Sequence, residues 1–207
     1  MYSFVGPLDF DDPPNFIEIR QRIEDQGKHM LTLGELICLF NRVDSDSDEQ
    51  VVNVLKYNFI FSNTGMLWTP AKVYVKDDPD IEDGQLQMDE VEFDIGLEHD
   101  DDPSIRCLST EKLDEHCGSQ PHDALAGNPY VVLQAGEEGA VQLAQVAANR
   151  EQGAYITYLP EPRPKIIALS LGGISSVQRI FDRITVGCLD ATARGFGVAA
   201  ENSDGTT

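Results

Sequence analysis

Apolar and polar positions follow two different periods along this chain. Leu33, Leu36, Ile37 and Phe40 recur at i, i+3, i+4 and i+7, the stripe of an amphipathic helix that must bury one side. Thr32 and Glu35 have the spacing of a capping box, with Leu31 placed to staple onto Leu36. The pattern predicts a helix over residues 32–43. From Val51 the period shortens: Val52, Val54, Tyr57, Phe59 and Phe61 lie in a run rich in β-branched and aromatic residues. Ser62-Asn63-Thr64-Gly65 then reads as a turn, and the apolar pattern resumes over 67–75, which together predict a strand pair. Residues 87–97 predict another strand, with Met88, Val91, Phe93 and Ile95 as inward candidates. In the last third, 129–134, 140–147, 154–159, 165–171 and 180–189 are apolar segments separated by Gly, Pro or charge. They read as strands, and the alanine-rich stretch 141–150 also fits a helix.

The remaining segments lack a period. Pro7, Pro13 and Pro14 punctuate the start, so residues 1–26 are expected to be an extended N-terminal arm that orders on a neighbour. Within it Phe16, Ile17, Ile19 and Ile23 leave strand and helical turn both open. Residues 98–128 read as a long surface loop with a helical turn near 110–116, and 196–207 as a small, polar C-terminal tail. Asp-Asp-Pro occurs at 11–13, 77–79 and 101–103; irregular spacing excludes a repeat, and each copy reads as a turn. Short strands without helical crossovers between most of them favour a mainly β, sandwich or barrel domain over 27–195.

The segment 24–42, a polar lead-in followed by Leu33-x-x-Leu36-Ile37-x-x-Phe40-x-Arg42, resembles the segment that precedes the jelly roll in capsid proteins of insect and algal picorna-like RNA viruses. The family's early Gly-Glu stands here as Gly27-Lys28. The resemblance implies a jelly-roll-type antiparallel β-sandwich with a short amphipathic helix before it. It also implies a virion structural protein: a subunit of an icosahedral shell around an RNA genome, assembled in the host cytoplasm with copies of itself and sister capsid proteins.

Composition narrows the partners. Across 207 residues, 36 acids against 15 bases give a formal net charge of -21. Such a surface repels phosphate, so direct nucleic-acid binding is not expected over most of the chain. A saline environment would screen the self-repulsion, because the Debye length falls from about 10 Å at 0.1 M to about 3 Å at 1 M salt. Residues are 41% hydrophobic, enough for one sizeable core. No run approaches the roughly 18 apolar residues of a membrane helix, and the first residues lack a signal-peptide pattern, so no membrane association is expected.

No catalytic, cofactor or metal residues emerge. There is no GxSxG, Walker loop, GxGxxG after a strand, or HExxH. Asp44, Asp46 and Asp48 imitate an EF-hand start, but Glu49 stands where the turn needs glycine and Leu55 where the bidentate glutamate belongs. Gly172-Gly173-Ile174-Ser175 reads as a turn before it reads as an anion cradle. Cys107, His116, Cys117 and His122 are the soft-ligand cluster, yet adjacent His116 and Cys117 are poorly placed for one zinc ion. Asp100, Asp101 and Asp102 after His99 form a hard-ion candidate for Ca²⁺. Trp68 and Tyr74, with acidic flanks, are expected to pack in the core. Cys38, Cys107, Cys117 and Cys188 are expected as free thiols. Two other readings stand beside the capsid subunit: a tail, neck or decoration protein of a DNA phage, and an acidic enzyme or binding domain with a dispersed site.

Overall fold

The computed structural model of the chain describes residues 2–5, 14–46, 59–83, 85–99, 102, 104–111, 113–151, 153–157, 161, 163–170, 184–190 and 195–201. In order the elements are β1 (Tyr2–Val5), α1 (Phe16–Glu24), β2 (Lys28–Met30), α2 (Leu33–Asp46), β3 (Ile60–Trp68), β4 (Lys72–Asp77), β5 (Asp80–Glu82), β6 (Gln85–Gln87) and α3 (Glu90–His99). Then follow β7 (Ile105–Ser109), a 3-10 turn (Leu113–His116), β8 (Gly118–Gln120), the single turn α4 (His122–Leu125) and α5 (Pro129–Asn149). The chain closes with β9 (Ala154–Ile156), β10 (Lys165–Ser170), β11 (Ile184–Leu189) and β12 (Phe196–Glu201).

Ten strands join one sheet in the order β1-β12-β3-β10-β11-β9-β8, with β2 also on β12, β4 on β3 and β7 on β4; β5 and β6 form a separate hairpin. A sheet-rich body is present, but among the described residues helix is as abundant as strand, so the fold is mixed and the expected mainly β class is corrected. The pairing differs from that of a jelly roll, which is antiparallel: β12 runs parallel to β3, and β11 parallel to β9.

Side chains alternate across the sheet and so feed two cores. Ile60, Ile167, Leu169 and Val198 join the cluster that holds Leu36, Ile37 and Phe40 of α2 and Leu143 and Val146 of α5. Their neighbours Phe61, Ile166, Ala168 and Ala199 face Phe16, Ile19 and Ile23 of α1. Helices therefore cover both faces. Gly197 is needed for the second contact: a Cβ there would lie 2.4 Å from Ile19 Cγ2.

The helix predicted at 32–43 is present. Thr32 N–H donates to Glu35 Oε2 at 2.9 Å, and Glu35 N–H to Thr32 Oγ1 at 3.4 Å, the reciprocal pair of a capping box. Other expectations are corrected by contacts the local pattern does not contain. The arm 1–26 is not extended throughout: Asn15 and Glu18 cap α1 reciprocally, and β1 pairs with β12 of its own chain. The presumed turn Ser62-Asn63-Thr64-Gly65 lies within β3, and the hairpin turns instead at Thr69-Pro70-Ala71, where Thr69 N–H donates to Lys72 O at 2.9 Å. Ser62 Oγ donates to Ile167 O, Asn63 Nδ2 to Asp78 Oδ1 and Thr64 Oγ1 to Asp77 Oδ1, so these polar residues are satisfied inside a buried strand.

The strand expected over 87–97 is α3. Asp89 caps it, accepting from Val91 N–H at 2.7 Å. The two strands expected over 129–147 are helical, forming the kinked α5 in which the helix also allowed for 141–150 is present; α5 is capped by Asn128, which accepts from Tyr130 and Val131 N–H, with Pro129 at its first turn. Gly136 breaks α5 with φ 73°. The loop over 98–128 contains β7, β8 and α4, and its expected helical turn is the 3-10 segment. The tail from 196 begins with β12, a strand flanked by β1 and β3. Of the expected strand at 180–189, residues 184–189 are β11 and the rest lies outside the described residues.

Candidate interaction surface

β4 and β7 are antiparallel neighbours, Lys76 facing Ile105. Between them the chain leaves the sheet at Asp77 and returns to the same place, and loops held on a rigid scaffold are where binding function concentrates. Thirteen residues from Asp77 to Asp102 are Asp or Glu, and none is Lys or Arg. The excursion carries the β5–β6 hairpin and α3.

Its root is clamped by bases contributed from elsewhere. Arg106 Nη1 meets Asp77 Oδ2 at 2.6 Å, while its Nε donates to Leu133 O at 2.8 Å and its Nη2 to Gln134 O at 3.4 Å. Those carbonyls precede the break at Gly136, which takes away their intrahelical donors; the guanidinium thus joins the excursion to α5. Arg20 meets Asp78 Oδ1 at 2.8 Å and donates to Pro79 O at 2.6 Å. Lys76 pairs with Asp80 at 2.7 Å, which holds the Asp80 carboxyl below its usual range. Gly65 leaves room for Met88, whose Sδ would lie 2.8 Å from a Cβ.

α3 sits on β4 and β7 through Phe93, buried beside Tyr74 at a ring separation of 5.6 Å and packed with Ile105 and Leu97. Asp94 accepts from Lys72 Nζ at 2.7 Å and from Tyr74 OH at 2.8 Å. These bonds, that from Lys72 foremost, lower the Asp94 pKa. Burial, followed by the bond to Asp94, pushes Tyr74 up to about 12. With Phe93 and Leu97 turned inward, Val91 and Ile95 are left 66% and 53% exposed. Glu82, Asp83, Glu90, Glu92 and Glu98 are exposed too, and make no ion pair among the described residues. Chemically this surface can bind cationic groups and apolar side chains; it repels anions.

The residues weighed from sequence are not gathered into a site. Cys107 is exposed on β7, and Cys117 Sγ donates to Leu113 O at 3.1 Å. Burial drives the Cys117 and Cys188 thiols up to about 12. No group of three or more His, Cys, Asp or Glu able to hold a metal occurs among the described residues. Asp44 and Asp46 lie in the last turn of α2, and the remainder of that acidic run, like Gly172 to Ser175, is outside the described residues. Asp100 and Asp101 are also outside; Asp102 Oδ1 accepts from Ser104 N–H at 2.9 Å. Trp68 packs on Tyr130, ring centroids 5.9 Å apart, and Tyr74 packs on Phe93, as expected of core residues. Cys38, Cys107, Cys117 and Cys188 are free. No described helix is long and apolar enough to cross a membrane. The exposure of Val91 and Ile95 was not legible in their alternation with Phe93; the signal for it was Asp89, an N-cap that turns the segment helical.

No family model matches the sequence, and no curated protein matches it. The chain is similar to a solved structure reported as "Accommodation of massive sequence variation in Nanoarchaeota by the C-type lectin fold". The TM-score is 0.61 at 14% identity, over 97% of this chain and 95% of that one. The likeness is one of fold.

Proposed function

We propose that this protein is a non-enzymatic binding module, a lectin-like scaffold that presents the excursion between β4 and β7 to a cationic protein surface. The observation that carries the reading is the division of labour within the excursion. Asp77, Asp78, Asp80 and Asp94 are taken up by Arg106, Arg20, Lys76 and Lys72, while Glu82, Asp83, Glu90, Glu92 and Glu98 are exposed without an ion pair among the described residues, as is the apolar pair Val91 and Ile95. The similar Nanoarchaeota fold accommodates massive sequence variation, which suits a scaffold whose frame is fixed by strand pairing and whose segments between strands carry recognition.

The test is titration with oligolysine by calorimetry. Two variants of equal charge are compared: Glu82→Gln, Asp83→Asn, Glu90→Gln, Glu92→Gln and Glu98→Gln together, and Glu111→Gln, Asp114→Asn, Glu115→Gln, Asp123→Asn and Glu137→Gln together. The first set is expected to weaken binding by about tenfold or more and the second to leave it near wild type. Equal weakening by both would mean diffuse charge and no site.

A second reading, a subunit of an icosahedral virion, is supported by the resemblance over residues 24–42. It expects closed particles on sedimentation; the binding module expects a monomer or small oligomer.

A further inference from the structure

We infer that the outward face of α3 is a docking ridge for a basic amphipathic helix of another protein, an inference that rests on the binding-module reading above. Val91 and Ile95 stand one turn apart, so their side chains form a continuous apolar ridge along the helix. Among the described residues they join no core cluster: α3 is anchored by Phe93, buried against Tyr74 and Ile105, and by Leu97. At 100° per residue, Glu92 falls about 60° to one side of Ile95 and Glu98 about 60° to the other, the latter about 20° from the line of Val91, so one carboxylate borders Ile95 on each side.

This arrangement specifies its partner. A helix with an apolar stripe at i, i+3, i+4 and i+7, bordered on both sides by Lys or Arg, buries Val91 and Ile95 and places a cation against each flanking glutamate. A second copy of this chain would bring the same carboxylates face to face, against a net charge of -21 on each molecule. A nucleic-acid backbone meets the same repulsion. Charge complementarity and the exposed ridge together therefore select a cationic, amphipathic protein segment.

The experiment uses the full chain and two synthetic peptides of identical Leu/Lys composition, one patterned as an amphipathic helix and one scrambled to destroy the stripe. Affinity is read by fluorescence anisotropy. Wild type is expected to bind the patterned peptide about tenfold more tightly than the scrambled one, the effect of burying two partly exposed aliphatic side chains. Val91→Ser with Ile95→Ser should abolish that preference while leaving binding of the scrambled peptide unchanged. Equal affinity of wild type for the two peptides would overturn the docking ridge and leave the acidic-surface reading intact. Failure to bind either peptide would overturn that reading as well. Retention of the preference by the serine double variant would place the patterned peptide elsewhere and also refute the ridge.

Discussion

Arg106→Ala tests how the excursion is held to the scaffold. The guanidinium makes one short ion pair to Asp77 and one good bond to the Leu133 carbonyl, with a longer one to Gln134. Both Arg106 and Asp77 are about three-quarters buried, their side chains 24% and 23% exposed. Hydrogen bonds to charged groups contribute about 1.5–3 kcal/mol each, and removing one partner of a fully buried pair costs about 3–5 kcal/mol. Partial exposure and the bond Asp77 retains from Thr64 reduce the loss to about 2–4 kcal/mol. With a urea m-value of about 2 kcal/mol/M, the unfolding midpoint should fall by about 1–2 M. Arg106→Lys keeps a charge near Asp77 but not the fork that reaches α5, so it should recover roughly half the loss. Hydrogen exchange should show amides between Asp77 and Ile105 opening earlier in the alanine variant. A midpoint shift below about 0.3 M, or a lysine variant as stable as wild type, would refute the clamp.

Gly34→Ala sets helix propensity against packing. Alanine gains at most about 1 kcal/mol in a helix, but its Cβ would lie 2.6 Å from the Ala135 carbonyl oxygen. Overpacking costs about 1–3 kcal/mol, so calorimetry should show the Tm lowered by several degrees; an unchanged or higher Tm would count against the close α2–α5 contact. Asp94 has a folded pKa below its unfolded value of 3.8, through Lys72 and then Tyr74. Its contribution is therefore present above the unfolded pKa and lost as pH falls through the folded one. Asp94→Asn should be less stable than wild type at pH 7, with the gap narrowing as the pH falls below 3.8 and through the lowered folded pKa, and a gap independent of pH in thermal melts would contradict the assignment. Iodoacetamide labelling read by mass spectrometry should modify exposed Cys107 first, and Cys188, buried with its thiol pushed up to about 12, only on unfolding; early labelling of Cys188 would contradict its burial.

What the amino-acid order determined by itself is what neighbouring residues decide. Thr32 and Glu35 cap their helix with atoms three residues apart, and the apolar runs at 154–156, 165–170 and 184–189 become strands in any sheet that buries them. Asn15 before Phe16, Asp89 before α3 and Asn128-Pro129 before α5 were local start signals of the same kind, legible but outweighed by short apolar runs that fit a strand equally well. The tertiary structure alone decided the rest. Ser62-Asn63-Thr64-Gly65 has the composition of a turn, and becomes buried strand because Ile167, Asp78, Asp77 and Met88 meet it from distant parts of the chain. The segment after Gly195 has the composition of a tail, and becomes a strand between β1 and β3 because Gly197 admits Ile19. Val91 and Ile95 are exposed, and Phe93 between them buried, because one face of α3 meets Tyr74 and Ile105 while the other meets nothing else in the described chain. Burial and hydrogen-bond satisfaction depend on partners far apart in sequence, which local periodicity does not encode.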